Sequence, residues 1–315
     1  MSTPHGMPTR YDTIVVGLGI MGSATLATLA ARGKRVLGIE RFDLGHAMGS
    51  SHGINRIIRI GYFEGAAYVP MVQRAARLWG ELGERLGEKM MFVTGTLDCA
   101  PTDSPLTHQS RVSCQANALP YEELDGVEVA RRFPGFRLPK DYTGIFQPDG
   151  GFVASDRALA GYQTLAIADG AEIRAREKML GFQPISSSGG VRVRTSRGTY
   201  EAESLVLSTG GWIGDHIPAL KKIAVPERQV LGWFQPRDAM LFTPDRFPAS
   251  ILWTEDSHFY QFPLWGAPGF KIGAHRHLFQ QSDAETLDRN VYPEDEALLR
   301  KGLEFAFPEA NGACL

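Results

Sequence analysis

A glycine-rich turn near the start of the sequence has residue types and a spacing that suit phosphate binding. Gly17, Gly19 and Gly22 follow an apolar strand, Thr13–Val16, and lead into a helix of small residues. In this pattern the first glycine permits a tight turn, the second admits a pyrophosphate, and the third lets helix and strand pack closely. The N-terminus of the helix would offer unpaired N–H groups to the phosphates.

An acidic residue completes this pattern at the end of the next strand. Arg35–Ile39 is typical of a strand, and Glu40 follows it, 18 residues after Gly22. A carboxylate in this position can hold ribose hydroxyls. Glycines also mark ordinary turns, but here the strand, the helix and the acid all fit one βαβ unit. The sequence therefore predicts a dinucleotide site.

A second turn of small residues narrows the choice of dinucleotide. Ser204–Leu207 has the pattern of a buried strand and runs directly into Ser208–Trp212. Flavoproteins place a similar turn against FAD, whereas the alternative interpretation is an ordinary strand-to-loop turn. Combined with the N-terminal motif, this turn favours FAD over NAD.

The composition argues against several other classes of protein. The 315 residues carry a formal net charge of −2 and no block of basic residues, so neither nucleic acid nor an anionic membrane surface is an expected partner. No apolar stretch is long enough to span a bilayer. Because Met1–Arg10 has no apolar signal region, we expect a cytoplasmic protein. Three cysteines, with no CxxC or HExxH motif, support neither a disulfide framework nor a metal site.

The hydrophobic periodicity predicts two interleaved domains. Spacings of three and four residues from Met71 to Leu86 indicate an amphipathic helix. Beyond Pro226 the pattern is alternating and aromatic, which is typical of antiparallel strands. We expect an α/β plus α+β chain, in which a Rossmann-like FAD-binding domain with a parallel sheet and helices is interleaved with an antiparallel-sheet substrate domain. The predicted boundaries are 9–85 and 150–222 for the FAD-binding domain, and 86–149 and 223–312 for the substrate domain.

Four segments, spread along the sequence in order, resemble the monomeric sarcosine oxidase and N-methyltryptophan oxidase family of D-amino-acid-oxidase-like flavoproteins. They are Gly49–Arg59, Pro226–Val230, Gly269–His275 and Val291–Glu296. The resemblance implies a monomer that uses FAD to oxidise the C–N bond of a secondary or N-methyl amino acid. A hydride equivalent would pass to the flavin, the imine product would hydrolyse, and O2 would reoxidise the flavin to give H2O2.

The resemblance also implies catalytic and substrate-binding roles. Arg56 matches an arginine beside the flavin ring, where a guanidinium stabilises negative charge on the reduced flavin. Arg59 matches an arginine that binds the substrate carboxylate through its bidentate fork. Lys271 matches a lysine associated with oxygen activation. Tyr260 and His275 match active-site positions that contact or orient the substrate.

The predicted cofactor-binding residues come from the two turns, from the first matching segment, from the end of the second strand and from the residues after the third strand. They are Gly17, Gly19, Ile20, Met21, Gly22, Glu40, Arg41, Ser50, Ser51, His52, Arg56, Met179, Ser208, Thr209, Gly210 and Trp212. Tyr62 is a further candidate for substrate binding. An ordinary structural role stays open for each charged residue. Arg56 and Arg59 would then form ion pairs on a surface strand, and Lys271 would be a solvated strand lysine. His275 would be a structural histidine.

The sequence departs from the family pattern at its end. Family members continue past the position of Leu315 into a last strand and helix of the FAD domain and a lysine that pairs with the substrate carboxylate. We therefore expect weak FAD binding or slow turnover. Covalent members attach FAD through a cysteine beyond the Ala310–Gly312 match, so Cys314 is either that cysteine or a chance residue. Two other functions stay open: a flavin-dependent dehydrogenase or oxidase of another amino or hydroxy acid, and a truncated flavoprotein with little activity.

Overall fold

The computed structural model describes residues 10–186 and 189–315. The strands are β1 Arg10–Val16, β2 Val36–Ile39, β3 Arg56–Ile58, β4 Met91–Val93, β5 Thr96–Pro101, β6 Glu122–Asp125, β7 Tyr142–Gln147, β8 Gly151–Val153, β9 Glu172–Arg174, β10 Met179–Pro184, β11 Val191–Thr195, β12 Thr199–Leu207, β13 Leu231–Phe234, β14 Ala249–Trp253, β15 His258–Phe262 and β16 Phe270–Ala274. The α-helices are α1 Ile20–Ala31, α2 Val69–Leu86, α3 Pro105–Ala116, α4 Gly126–Arg132, α5 Ser155–Ala168, α6 Ile213–His216 and α7 Pro293–Ala306.

The chain divides into two compact units, each built from two stretches of sequence. The first unit comprises the described residues up to Gly53 together with Ser155–Pro226, and the second comprises Ile54–Ala154 and Glu227–Leu315. Residues 54–85, which the sequence assigned to the FAD-binding domain, group instead with the second unit, because β3 pairs with β8 there. The predicted start at residue 9 lies outside the described residues.

The first unit contains a sheet with the strand order β10-β11-β12-β1-β2-β9. The strands from β12 to β9 run parallel, whereas β10 and β11 are antiparallel to their neighbours. Ile14 and Val15 on β1 are fully buried, on opposite faces of the sheet. Small residues let α1 and α5 pack together over one face. This arrangement confirms the predicted Rossmann-like fold class.

The second unit contains two further sheets. The larger has the order β13-β16-β15-β14-β5-β7-β6, and the smaller has the order β3-β8-β4. Neighbouring strands are antiparallel except for β14 and β5. One face of the larger sheet packs on α7 through a phenylalanine-rich core that includes Phe234, Phe247, Phe270 and Phe307. The other face carries polar and aromatic side chains, and several predicted site residues lie on it.

Candidate functional site

A cavity of about 420 Å³ lies in the first unit, just beyond the carboxyl ends of β1, β2 and β12. Ligands of open parallel sheets bind at this edge. Most residues predicted to bind the cofactor line it: Gly17, Gly19, Ile20, Met21, Glu40, Arg41, Ser50, Ser51, Met179, Ser208, Thr209, Gly210 and Trp212. Further lining residues, which the sequence did not single out, include Phe42, His46, Glu177, Leu180, Asp215 and His216.

Two glycines of the first turn are required by its geometry. Gly17 has a φ of +89°, and a Cβ there would lie 2.5 Å from the Ser208 carbonyl oxygen. A Cβ on Gly22 would collide with the Gly17 carbonyl oxygen and the Ser208 hydroxyl. Only glycine therefore lets α1 begin this close to the ends of β1 and β12.

The start of α1 faces the cavity, and its N-cap residue has no side chain to cap it. Gly19 is the N-cap residue, and the next N–H group, that of Ile20, donates to the Ser51 hydroxyl over 3.0 Å. Behind the turn, the Leu18 carbonyl accepts a hydrogen bond from Gln163 Nε2 at 3.1 Å. Gln163 lies on α5, and no sequence pattern identified it as a support for this turn. The helix terminus therefore lies at the cavity, where Ser51 contacts its first N–H group, and is held from behind by Gln163.

Glu40 directs its carboxylate toward the backbone of the same turn. Oε2 accepts from the Leu18 N–H at 2.7 Å, and Oε1 accepts from the Phe42 N–H at 2.9 Å. The His46 ring nitrogen Nε2 lies 3.4 Å from Oε1. Glu40 thus braces the glycine turn while it lines the cavity, and its contact with ribose hydroxyls stays a prediction.

One wall of the cavity is aromatic and cationic. The Phe42 ring centre lies 5.6 Å from that of Trp212 and 4.9 Å from that of His46. The Arg41 guanidinium lies 4.9 Å from the centre of the Phe42 ring. Flat apolar surfaces with nearby positive charge suit a ligand that carries both rings and phosphates.

Thr209 indicates that the cavity is built for a polar ligand. Its Oγ1 is buried, lines the cavity and has no hydrogen-bond partner among the described residues. Buried hydroxyls are rarely left unpaired in folded proteins. Together with the glycine turn that lines the same cavity, this unpaired hydroxyl fits a dinucleotide cofactor such as FAD.

Four of the predicted cofactor residues do not line this cavity. Gly22 lies behind the turn, where it sets the packing of α1. His52 is exposed, and its Nδ1 contacts the Gly49 carbonyl oxygen at 2.5 Å. Arg56 and Cys314 belong to the second unit.

In the second unit, the pleat of the larger sheet brings three of the four predicted catalytic residues to one face, whereas Arg56 lies on β3 of the smaller sheet. Tyr260 on β15 pairs with Gly273 on β16, and Phe262 pairs with Lys271. Directly paired residues of neighbouring strands direct their side chains to the same side of a sheet, and the side alternates along each strand. Lys271 and Tyr260 therefore share a face, and His275 follows the end of β16 in the same alternation.

Lys271 is a buried cation with a fixed position. Only 3% of the residue is exposed, and its ammonium group donates to Asn55 Oδ1 at 2.7 Å and to the Asn55 carbonyl at 3.1 Å. The ammonium also lies 4.4 Å from the centre of the Phe262 ring. Arg56 Nη1 donates to the same Asn55 carbonyl at 2.8 Å. Asn55, which no sequence pattern singled out, therefore holds two predicted catalytic cations together.

Arg59 is also buried, and it already binds a carboxylate. Its Nη2 lies 3.1 and 3.2 Å from the two carboxylate oxygens of Glu64. The guanidinium carbon lies 4.6 Å from the ring centres of both Tyr62 and Phe63. Nη1 is buried and makes no hydrogen bond to the part of the chain that the structure describes. The predicted pair Arg59 and Tyr62 is thus brought together, with Glu64 as an unpredicted partner.

Two ionisable rings on this face are held in their neutral forms. Burial raises the pKa of Tyr260, and Arg56 opposes that shift. Burial lowers the pKa of His258, and the neighbouring His275 lowers it further. The Tyr260 phenol can therefore donate a hydrogen bond at neutral pH, and the His258 imidazole carries no charge there.

Cys314 lies at the edge of the same sheet. Leu315 N–H donates to the Trp233 carbonyl at 2.9 Å, and Cys314 pairs with Phe234 on β13. Phe234 belongs to the core, whereas Trp233 pairs with Lys271 on the opposite face. By this register Cys314, which is exposed, lies on the opposite side of the sheet from the buried Lys271. The covalent attachment of FAD to Cys314 stays a prediction, and the register does not support it.

Two kinds of feature are absent from the described part of the chain. No helix within residues 10–186 and 189–315 has both the length and the hydropathy needed to cross a bilayer. In the same ranges, no group of histidine, cysteine, aspartate and glutamate side chains is arranged to hold a metal ion. The described polar clusters therefore provide no metal site.

Comparison with known proteins identifies the family. Residues 12–313 match the model of the FAD dependent oxidoreductase family. The monomeric sarcosine oxidase of Bacillus sp. (strain NS-129) is 37% identical over 97% of this chain and 80% of its own length. The N-methyl-L-tryptophan oxidase of Yersinia pestis (strain Pestoides F) is 32% identical over 97% of this chain and 81% of its own length.

A solved structure agrees with these sequence matches. NikD, described as an unusual amino acid oxidase essential for nikkomycin biosynthesis, superposes with a TM-score of 0.80 at 27% identity and covers 98% of this chain and 80% of that one. The matches confirm the family resemblance, and the cavity in the first unit has the features that such a cofactor needs. The chain therefore belongs to the FAD-dependent oxidoreductase family, and its cofactor is FAD.

Proposed function

We propose that this chain oxidises the C–N bond of a secondary or N-methyl amino acid. The observation that carries the proposal is the contact between Arg59 and Glu64, because it shows a buried guanidinium binding a carboxylate. The substrate carboxylate would take the place of Glu64, whose side chain is 41% exposed and free to leave. Nη1, which lacks a hydrogen-bond partner among the described residues, would complete a bidentate contact.

The other predicted site residues of the second unit have matching roles in the proposal. The neutral Tyr260 hydroxyl would orient the substrate, and Lys271 and Arg56 would supply fixed positive charge where negative charge develops. When bound, FAD would accept the electrons taken from the carbon beside nitrogen and pass them to O2. The imine would then hydrolyse in water. The lining of the cavity supports the first unit as the FAD-binding domain, and the positions of Arg59, Tyr260 and Lys271 support the second as the substrate domain.

Product analysis with the FAD-loaded protein tests this proposal. Sarcosine and N-methyl-L-phenylalanine would be supplied with O2, and formaldehyde, the demethylated amino acid and H2O2 would be measured together. The proposal predicts equal amounts of the three products and a large loss of kcat/KM in Arg59→Met. Peroxide without formaldehyde, or oxidation of hydroxy acids alone, would instead support a related flavoenzyme. Light scattering on the same sample would test the proposed monomer.

A further inference from the structure

Trp253 and His258 form a flat aromatic surface on the face that carries Lys271 and Tyr260. The two residues pair directly across β14 and β15, and Ile251, two positions before Trp253, pairs with Tyr260. Their rings are stacked, with centres 3.9 Å apart and planes 7° apart. Both residues are half-buried, so part of each ring is accessible.

Phe63 connects this surface to the predicted carboxylate site. Its ring meets Trp253 edge-on, with centres 5.6 Å apart and an interplanar angle of 83°. The same ring lies 4.6 Å from the Arg59 guanidinium carbon. The aromatic shelf, defined here as Phe63, Trp253 and His258, therefore begins beside the guanidinium and extends one further ring away from it.

The aromatic shelf is uncharged, whereas the neighbouring Arg59 is a cation. Burial and the nearby His275 keep His258 uncharged, so the shelf does not attract a carboxylate. Arg59 is a buried cation next to it and does attract one. A ligand with a carboxylate at one end and an aromatic ring at the other would match both parts.

We propose that the aromatic shelf selects N-alkylated α-amino acids with an aromatic side chain, which packs on Trp253 while Arg59 binds the carboxylate. This inference rests on the proposed function and adds the side-chain class. Offset or edge-on contacts between rings stabilise a bound aromatic group beyond the burial of its area. Glycine derivatives such as sarcosine would leave the shelf uncovered and would be poorer substrates.

The test compares substrate preference in a small set of variants. For the FAD-loaded wild type, kcat/KM for N-methyl-L-phenylalanine should exceed that for sarcosine by at least about tenfold. Trp253→Leu should lower that ratio about tenfold through the aromatic substrate, with sarcosine changed less than about threefold. Trp253→Phe should restore most of the preference. Trp79→Leu, at a half-buried tryptophan on α2, is the matched control and should leave the ratio unchanged.

A binding measurement separates failure of the shelf from failure of the proposed function. If no secondary amine reduces the bound FAD, the proposed function is wrong. The shelf would still predict, by calorimetry on FAD-loaded protein, tighter binding of phenylacetate than of acetate, and loss of that difference in Trp253→Leu. Equal binding of the two acids, or an unchanged substrate ratio in folded Trp253→Leu, would overturn the inference.

Discussion

Lys271 and Arg59 are buried cations that different partners hold in place. Lys271 donates twice to Asn55, so two neutral oxygens fix the position of its ammonium group. Arg59 binds the carboxylate of Glu64 instead. The first arrangement fixes an ammonium group in place, and the second suits a guanidinium that exchanges one carboxylate for another.

Lys271→Met should separate the two halves of the reaction. Methionine keeps much of the buried volume but removes the charge that would favour electron transfer to O2. We expect stopped-flow reoxidation of the reduced flavin by O2 to slow by about 10²–10³-fold. Anaerobic reduction by substrate should change much less. Slowing of both steps by the same factor would contradict a specific role with O2.

Glu64→Gln should strengthen the binding of carboxylate ligands. Glu64 is partly exposed, so its ion pair with Arg59 is worth about 0.2–1 kcal/mol. Removing that competitor should therefore lower KM for the substrate by about two- to fivefold, with little change in kcat. Glu81→Gln, which alters an exposed ion pair on α2, is the control. A raised KM in Glu64→Gln would mean that Glu64 helps to bind the substrate.

Among the elements, the turn between β1 and α1 was the most predictable from sequence. A Cβ at Gly17 or Gly22 would collide with nearby backbone atoms, so the turn requires glycine at both positions. The spacing of the glycines in the sequence therefore predicts the turn directly. The strand boundaries between Met91 and Pro101 were harder to predict from sequence. Gly95, with a φ of +74°, divides this region into β4 and β5, which join different sheets.

Gly22→Ala tests the packing of α1 on the strand ends. The added methyl group would collide with the Gly17 carbonyl, and overpacking of this kind costs about 1–3 kcal/mol. We expect a lower melting temperature and weaker FAD binding, measured by thermal denaturation and by flavin fluorescence. Gly80→Ala on α2, where a Cβ meets nothing within 4 Å, should instead be neutral or stabilising. An equal change in melting temperature in the two variants would contradict this role of Gly22 in packing.

Long-range partners of the site were not predictable from sequence. Asn55 and Lys271 are 216 positions apart, and no local pattern links an asparagine to a lysine on a distant strand. Phe63 and Trp253 meet for the same reason, through the register of β14 and the loop after β3. The resemblance located Lys271 and Arg59, whereas their partners depend on tertiary packing that local periodicity does not encode.

A buried ion cluster fastens α7 to the loop before β13. Both nitrogens of the Arg228 fork donate to Asp295, at 2.8 and 2.7 Å, and His277 Nε2 lies 2.7 Å from the same carboxylate. The hydrogen bonds from Arg228 hold the pKa of Asp295 well below its usual range, although burial opposes them. The carboxylate is therefore ionised in the folded protein at neutral pH.

Asp295→Asn should destabilise the second unit by about 3–5 kcal/mol, because it leaves a buried guanidinium unpaired. Since the folded pKa lies below the unfolded value of about 4, the stabilisation is present above that pH and is lost as the pH falls below it. Melting curves between about pH 6 and pH 3 should therefore show a smaller acid-induced loss in Asp295→Asn than in the wild type. The exposed Asp103→Asn should keep the wild-type slope.

The whole molecule combines a cavity lined by predicted cofactor residues in one unit with a sheet face that carries predicted catalytic residues in the other. The chain spans 80% of the length of the sarcosine oxidase and 81% of the N-methyl-L-tryptophan oxidase described above. Within that span lie both the residues predicted to bind the cofactor and Arg59, which is predicted to bind the substrate carboxylate. We propose that the two units act together on a secondary amine.

Anaerobic reduction of the bound flavin tests that claim most directly. FAD-loaded protein, shown to be reducible by dithionite, would be mixed without O2 with an N-methyl amino acid, and the visible flavin absorbance would be followed. We predict bleaching that saturates with amine concentration and is greatly slowed in Arg59→Met. Dithionite-reducible protein whose flavin no secondary or N-methyl amino acid bleaches would contradict it.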